Sequence, residues 1–92
     1  MGKSIMQKNK ECYFTGSTGL LHKLHIYGGP NRRISEREGF WIWLTPEMHN
    51  MSNDGVHFQK RTDLYLKKVC QEIYEKTHSR EEFMNLIGRN YL

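Results

Sequence analysis

Leu20-Leu21-His22-Lys23-Leu24-His25-Ile26-Tyr27-Gly28-Gly29-Pro30 and, further on, Phe40-Trp41-Ile42-Trp43-Leu44-Thr45-Pro46-Glu47 decide how this chain is read. The first run partly alternates and halts at Gly-Gly-Pro, which predicts a strand over residues 20–27 ending in a forced turn. The second is apolar on both faces, which predicts a strand covered on both sides. Trp41 and Trp43 fall on one side of it, and Phe40, Ile42 and Leu44 on the other. Residues 31–38 between the two runs are polar and carry Arg32, Arg33 and Arg37. They predict an exposed loop that can include a helical turn, closed by Gly39. Strands joined this closely predict an antiparallel pair.

Thr45-Pro46-Glu47 opens a helix: Thr at the N-cap, Pro at the first helical position, an acid in the first turn. The turn signal Asn53-Asp54-Gly55 keeps that helix short. A longer helix is predicted over residues 62–76, where Leu66, Val69, Cys70 and Ile73 form one buried stripe. A last helix begins at Ser79, whose capping box partner is Glu82. Phe83, Met84, Leu86 and Ile87 give it an apolar face, and it ends at Gly88. Upstream, Cys12-Tyr13-Phe14-Thr15 reads as a short strand closed by Gly16 and Gly19. Residues 1–10 read as a flexible basic arm, leaving 11–92 as one domain. The fold class is α+β: a hairpin-plus-helix core followed by a C-terminal helical hairpin.

Composition bounds the function. Ninety-two residues make one domain of small stability margin, which can draw on a metal, a partner or a second copy of itself. The longest apolar run, Phe40 to Leu44, is far short of the roughly 20 residues that span a bilayer. Met1 to Met6 is too polar for a signal peptide. A cytoplasmic protein without a membrane role is therefore expected, with Cys12 and Cys70 as reduced thiols. The net charge of +4 is concentrated in the first fifty residues, seven basic against four acidic. Such an excess favours a polyanionic partner.

Five histidines are a high share for this length. His22 and His25 are three apart on one strand, so they face opposite sides. A short helix packed across the hairpin would bring His25, His49 and His57 to one point. Converging neutral imidazoles bind a divalent ion, and one left free is a general base near neutral pH. His78, beside the Ser79 cap, is helix punctuation. The simpler alternative for each is an ordinary polar residue on a small wet domain.

From Glu11-Cys12-Tyr13 through His22 to Arg32, the chain resembles small HNH-type proteins of phages and prophages. Leu44-Thr45-Pro46-Glu47-Met48-His49-Asn50, Gly55-Val56-His57-Phe58 and the C-terminal stretch from Ser79 to Leu92 carry the same resemblance. It implies the ββα-metal fold, a hairpin packed on a helix around one divalent ion. It also implies His25 as general base for phosphodiester hydrolysis and His49 as a metal ligand, with Asn50 and His57 as further ligands or supports. The ion implied is Mg²⁺, Mn²⁺ or Zn²⁺. Arg32, Arg33 and Arg37, with Lys23, would contact phosphate oxygens, which guanidinium forks suit. The chain departs from the pattern at Leu24, where the family places an Asp or His ligand. It departs again at Thr15, where relatives that hold zinc have a second cysteine, and within residues 40–43, which lack the middle Asn.

The resemblance thus implies an HNH-like protein that binds nucleic acid or nucleotides, with metal-dependent hydrolysis if the lost ligand is replaced. Its alternative is an inactive HNH scaffold that blocks a host defence protein or sequesters a nucleotide signal.

Overall fold

The computed structural model describes residues 3–48 and 56–92, and side chains from residue 60 onward in the second stretch. Strand β1 (His22–His25) leads through a 3₁₀ turn (Gly29–Asn31) into helix α1 (Arg32–Glu38) and strand β2 (Trp41–Leu44). Helices α2 (Val56–Tyr74) and α3 (Arg80–Ile87) follow. The two strands form an antiparallel sheet in which His22 faces Leu44, Lys23 faces Trp43, Leu24 faces Ile42 and His25 faces Trp41. Opposed residues lie on the same side of a sheet. One face therefore carries Lys23, His25, Trp41 and Trp43, and the other His22, Leu24, Ile42 and Leu44.

The second face is the core face. Ile42 and Leu44 are buried there with Leu66, Cys70, Phe83 and Ile87, and Leu24 packs against the cluster. Phe40 sits at its centre, its ring edge-on to Tyr27 and to Tyr74, each at a centroid separation of 5.5 Å. Such edge-to-face pairs add to the burial of their large apolar area. Gln71, fully buried on α2, holds the C-terminal tail: its Nε2 donates to Asn90 Oδ1 at 2.8 Å, and its Oε1 accepts from the Tyr91 N–H at 2.7 Å. Tyr27 reaches across with its hydroxyl to the Lys67 carbonyl, 2.6 Å away.

The predicted α+β order is present, with local corrections. Residues 32–38 are a two-turn α-helix rather than a loop. Pro30 lies in the first positions of the preceding 3₁₀ turn, and Gly39 ends the helix at φ +80, the left-handed region that a glycine enters without steric cost. Polar composition hid this helix because its buried anchor is a serine. Ser35 Oγ accepts from the Tyr27 N–H at 3.1 Å and donates to the Tyr27 carbonyl at 2.7 Å. Residues 12–15 form a tight turn instead of a strand: the Cys12 N–H bonds Ser17 O, and Gly16 N–H bonds Cys12 O. The first strand is shorter than predicted, because after His25 the Tyr27 backbone bonds to Ser35 rather than to the neighbouring strand. Helix α2 begins earlier than predicted, at Val56. The Thr45 cap is seen, its Oγ1 accepting from the Met48 N–H at 3.3 Å. The Asn53-Asp54-Gly55 turn lies outside the described residues.

The N-terminal segment, which composition alone detaches as a basic arm, lies along the outer edge of β2. The Ile5 N–H bonds Gly39 O, the Trp43 N–H donates to Gln7 Oε1, and the Tyr13 N–H donates to Trp43 O. Ser4 Oγ donates to the Trp41 carbonyl. Met6 enters the core. The open edge of a two-stranded sheet is satisfied by side chains and turns instead of a third strand.

Candidate functional site

Residues on the polar sheet face and the start of α1 meet at an open cleft of about 540 Å³. His25, Gly29, Pro30, Arg32, Arg33 and Glu36 line it. The local sequence explains the meeting. Gly28-Gly29-Pro30 reverses the chain within a few residues, and the buried Ser35 clamps α1 onto Tyr27. Position 36 is thereby turned toward the end of β1. There, His25 Nε2 lies 2.7 Å from Glu36 Oε1, and Lys23 Nζ lies 3.2 Å from Glu36 Oε2. The His25 hydrogen bond, then the Lys23 one, hold the Glu36 carboxyl below its ordinary range.

The lysine is positioned from its other side. Lys23 Nζ stands 4.2 Å from the Trp41 ring centroid and 5.7 Å from that of Trp43, while Lys10 Nζ stands 4.8 Å from Trp43. Cation–π attraction of this kind contributes of order 0.5–1 kcal/mol at exposed sites. Trp41 is buried and Trp43 half-buried, in line with a strand covered on both sides.

Of the residues singled out from sequence, His25, Arg32 and Arg33 come together in the cleft, with Lys23 beside it. Arg37 does not line the cleft; it pairs with its neighbour Glu38 at 3.0 Å. His49 and Asn50 lie outside the described residues, and of the His57 side chain nothing is described. Among the described residues no three His, Cys, Asp or Glu side chains gather as a metal shell. His25 and Glu36 are the two donors at the cleft, and Glu36 is already engaged by an ammonium group. The described donors therefore do not fit a divalent ion. Leu24, at the position where the HNH pattern has a ligand, faces Ile42 on the core side, away from His25.

Sequence reasoning missed Glu36 and Lys10. Glu36 was hidden because residues 31–38 read as a loop; a helix there places it one residue past the buried Ser35. Lys10 gave no signal, since its placement depends on the docking of the N-terminal segment.

Cys12 belongs to a separate region. Burial opposes its ionisation, but hydrogen bonds from the Thr15 hydroxyl and from the backbone at Thr45, Thr15 and Phe14 prevail and lower the thiol to about 7. Cys70, in the core, is pushed up to about 12 by burial. Both thiols are free and buried.

Among the described residues no helix is long and apolar enough to cross a membrane. No protein family, characterised protein or solved structure matches this chain.

Proposed function

We propose that this chain is an HNH-like protein that binds the phosphates of a nucleic acid or nucleotide in the cleft of His25, Arg32 and Arg33. The observation that carries this reading is that Arg32, Arg33 and His25 line one open concavity, with Glu36 as its carboxylate. Guanidinium forks donate paired hydrogen bonds that match phosphate oxygens, and an exposed concave site admits a chain-like anion. The antiparallel hairpin followed by a helix start at Pro46, with His25 closing the first strand, supports the HNH-like assignment.

A second reading, phosphodiester hydrolysis, draws support from the His25–Glu36 pair. A carboxylate accepting from Nε2–H fixes the imidazole with Nδ1 as the basic nitrogen. Binding without hydrolysis is the reading the geometry favours, because Leu24 faces the core and the described donors do not build a metal shell.

The test is fluorescence anisotropy with a labelled oligonucleotide over a range of salt concentrations. Binding should weaken as salt rises, and Arg32→Ala with Arg33→Ala should weaken it further without lowering the melting temperature much. A double variant that loses stability but binds as before would overturn the reading. Binding confined to an acidic protein would favour the inhibitor alternative. Cleavage by the wild type that is lost in His25→Ala would establish the hydrolytic one.

A further inference from the structure

We infer that the cleft is one end of a longer track for a nucleic-acid strand, which runs across the polar sheet face and ends at Lys10. The inference rests on the phosphate reading of the cleft and extends it from a single phosphate to a polynucleotide.

The track follows from register. His25 and Lys23 are two residues apart on β1 and on the same face, so their attachment points are about 6.6 Å apart. Trp41 and Trp43 lie opposite them on β2, and their rings meet at 5.4 Å in an edge-to-face arrangement. Lys23 sits over both rings and Lys10 over Trp43, so the order along the face is cleft, Lys23, Lys10. The indole rings draw the two ammonium groups toward the sheet face and so narrow the positions they sample in solvent. Preorganised cations lose less side-chain freedom when a ligand binds.

Lys10 reaches its place through the backbone of its own segment. Gln7 is tied to β2 through the Trp43 N–H and to Glu11 through its amide, which donates to the Glu11 carbonyl at 2.8 Å. Tyr13 bonds to the Trp43 carbonyl on the far side of Lys10. Lys10 is therefore bracketed by two anchors on the same strand. Charges spaced along a line favour an anion whose charges are also spaced along a line. Trp43 is only half-buried and has both lysines within cation–π distance.

The experiment compares a trinucleotide with a decanucleotide of thymidine, both labelled, on the full chain. The wild type should bind the longer probe several-fold more tightly. Lys10→Ala should weaken the decanucleotide several-fold and reduce its salt slope by about 0.7, the value for one phosphate of a single strand left without its cation. It should leave the trinucleotide affinity unchanged, and Lys10→Arg should restore the wild-type value. Equal wild-type affinity for both probes would remove the track and leave the cleft standing. The same holds if Lys10→Ala changes neither probe, or weakens both alike. Failure of the wild type to bind either probe would remove the cleft reading and the track with it. Competition by a glutamate decapeptide as effective as by the decanucleotide would overturn the assignment to nucleic acid.

Discussion

Glu36 lies 2.7 Å from His25 and is also paired with Lys23, so a carboxylate occupies the place where the Lys23 ammonium and the His25 imidazole point. On the proposed phosphate-binding reading, an incoming phosphate has to compete with it. Glu36→Gln should therefore raise oligonucleotide affinity about five-fold, corresponding to about 1 kcal/mol for one surface charge. Anisotropy titrations of the two proteins at equal salt would check this. An unchanged or weakened affinity would show that Glu36 orients the cations rather than competing for them.

The same pair sets an acid limit. The carboxyl of Glu36 is held below its ordinary range by His25 first and Lys23 second. A depressed carboxyl contributes stability at pH above its unfolded value, and that contribution is lost as pH falls through the folded one. Glu36 is about half exposed, so solvent screening keeps the stability effect small. The ion pair should persist down to the lower part of the carboxylate range. Carboxyl NMR titration should find Glu36 below the free glutamate value in the wild type and close to it in Lys23→Ala combined with His25→Ala.

Cys12 produces an effect of the same sign at higher pH. Its thiol is lowered from 9.0 to about 7, so folding stability should rise between pH 7 and pH 9, by no more than about 1.4 kcal/mol per unit. Cys70 works oppositely, and only above pH 9, since its folded value is raised. Chemical denaturation at several pH values would reveal the rise, which Cys12→Ala should flatten whatever its effect on absolute stability.

Leu24→Asp, the change that would restore a ligand of the HNH pattern, should destabilise the fold by about 1–3 kcal/mol. It places a carboxyl against Ile42 and the core instead of toward His25. A variant that melts like the wild type and gains metal affinity would show that the strand can turn this side chain to the cleft.

Gly39→Ala should cost more than an ordinary surface change. The position has φ +80, and an added methyl would run into the Lys3 backbone carbonyl. Ser79→Ala, which removes a capping box seen in full, should cost about 1 kcal/mol. A larger loss for Gly39→Ala in thermal melts would confirm that the N-terminal segment packs tightly at this point.

What the sequence discloses divides along physical lines. The strand pairing, the α3 cap at Ser79 and its left-handed stop at Gly88 are local signals, and they appear in the structure as read. So does the stripe of Leu66 and Cys70, because periodicity reports burial directly. Helix α1 was missed because a serine anchors it to the backbone of Tyr27, an interaction without a hydrophobic pattern. In the cleft, His25, Arg32 and Arg33 were legible as residue types suited to phosphate. Their partner Glu36 depended on the orientation of α1, and Lys10 on a ring more than thirty residues away in sequence.

The docking of the N-terminal segment also has a consequence for the order in which the molecule assembles. Ser4 bonds to Trp41 and Gln7 to Trp43 across sequence separations of 37 and 36. On a ribosome this segment emerges before β2, so it has nothing to bind until that strand has followed it out. Closing so long a loop costs entropy that only the finished edge returns. The segment should therefore be among the last parts to become protected. Pulsed hydrogen exchange during refolding should find the Ile5 and Trp43 amides protected after those of β1 and α2.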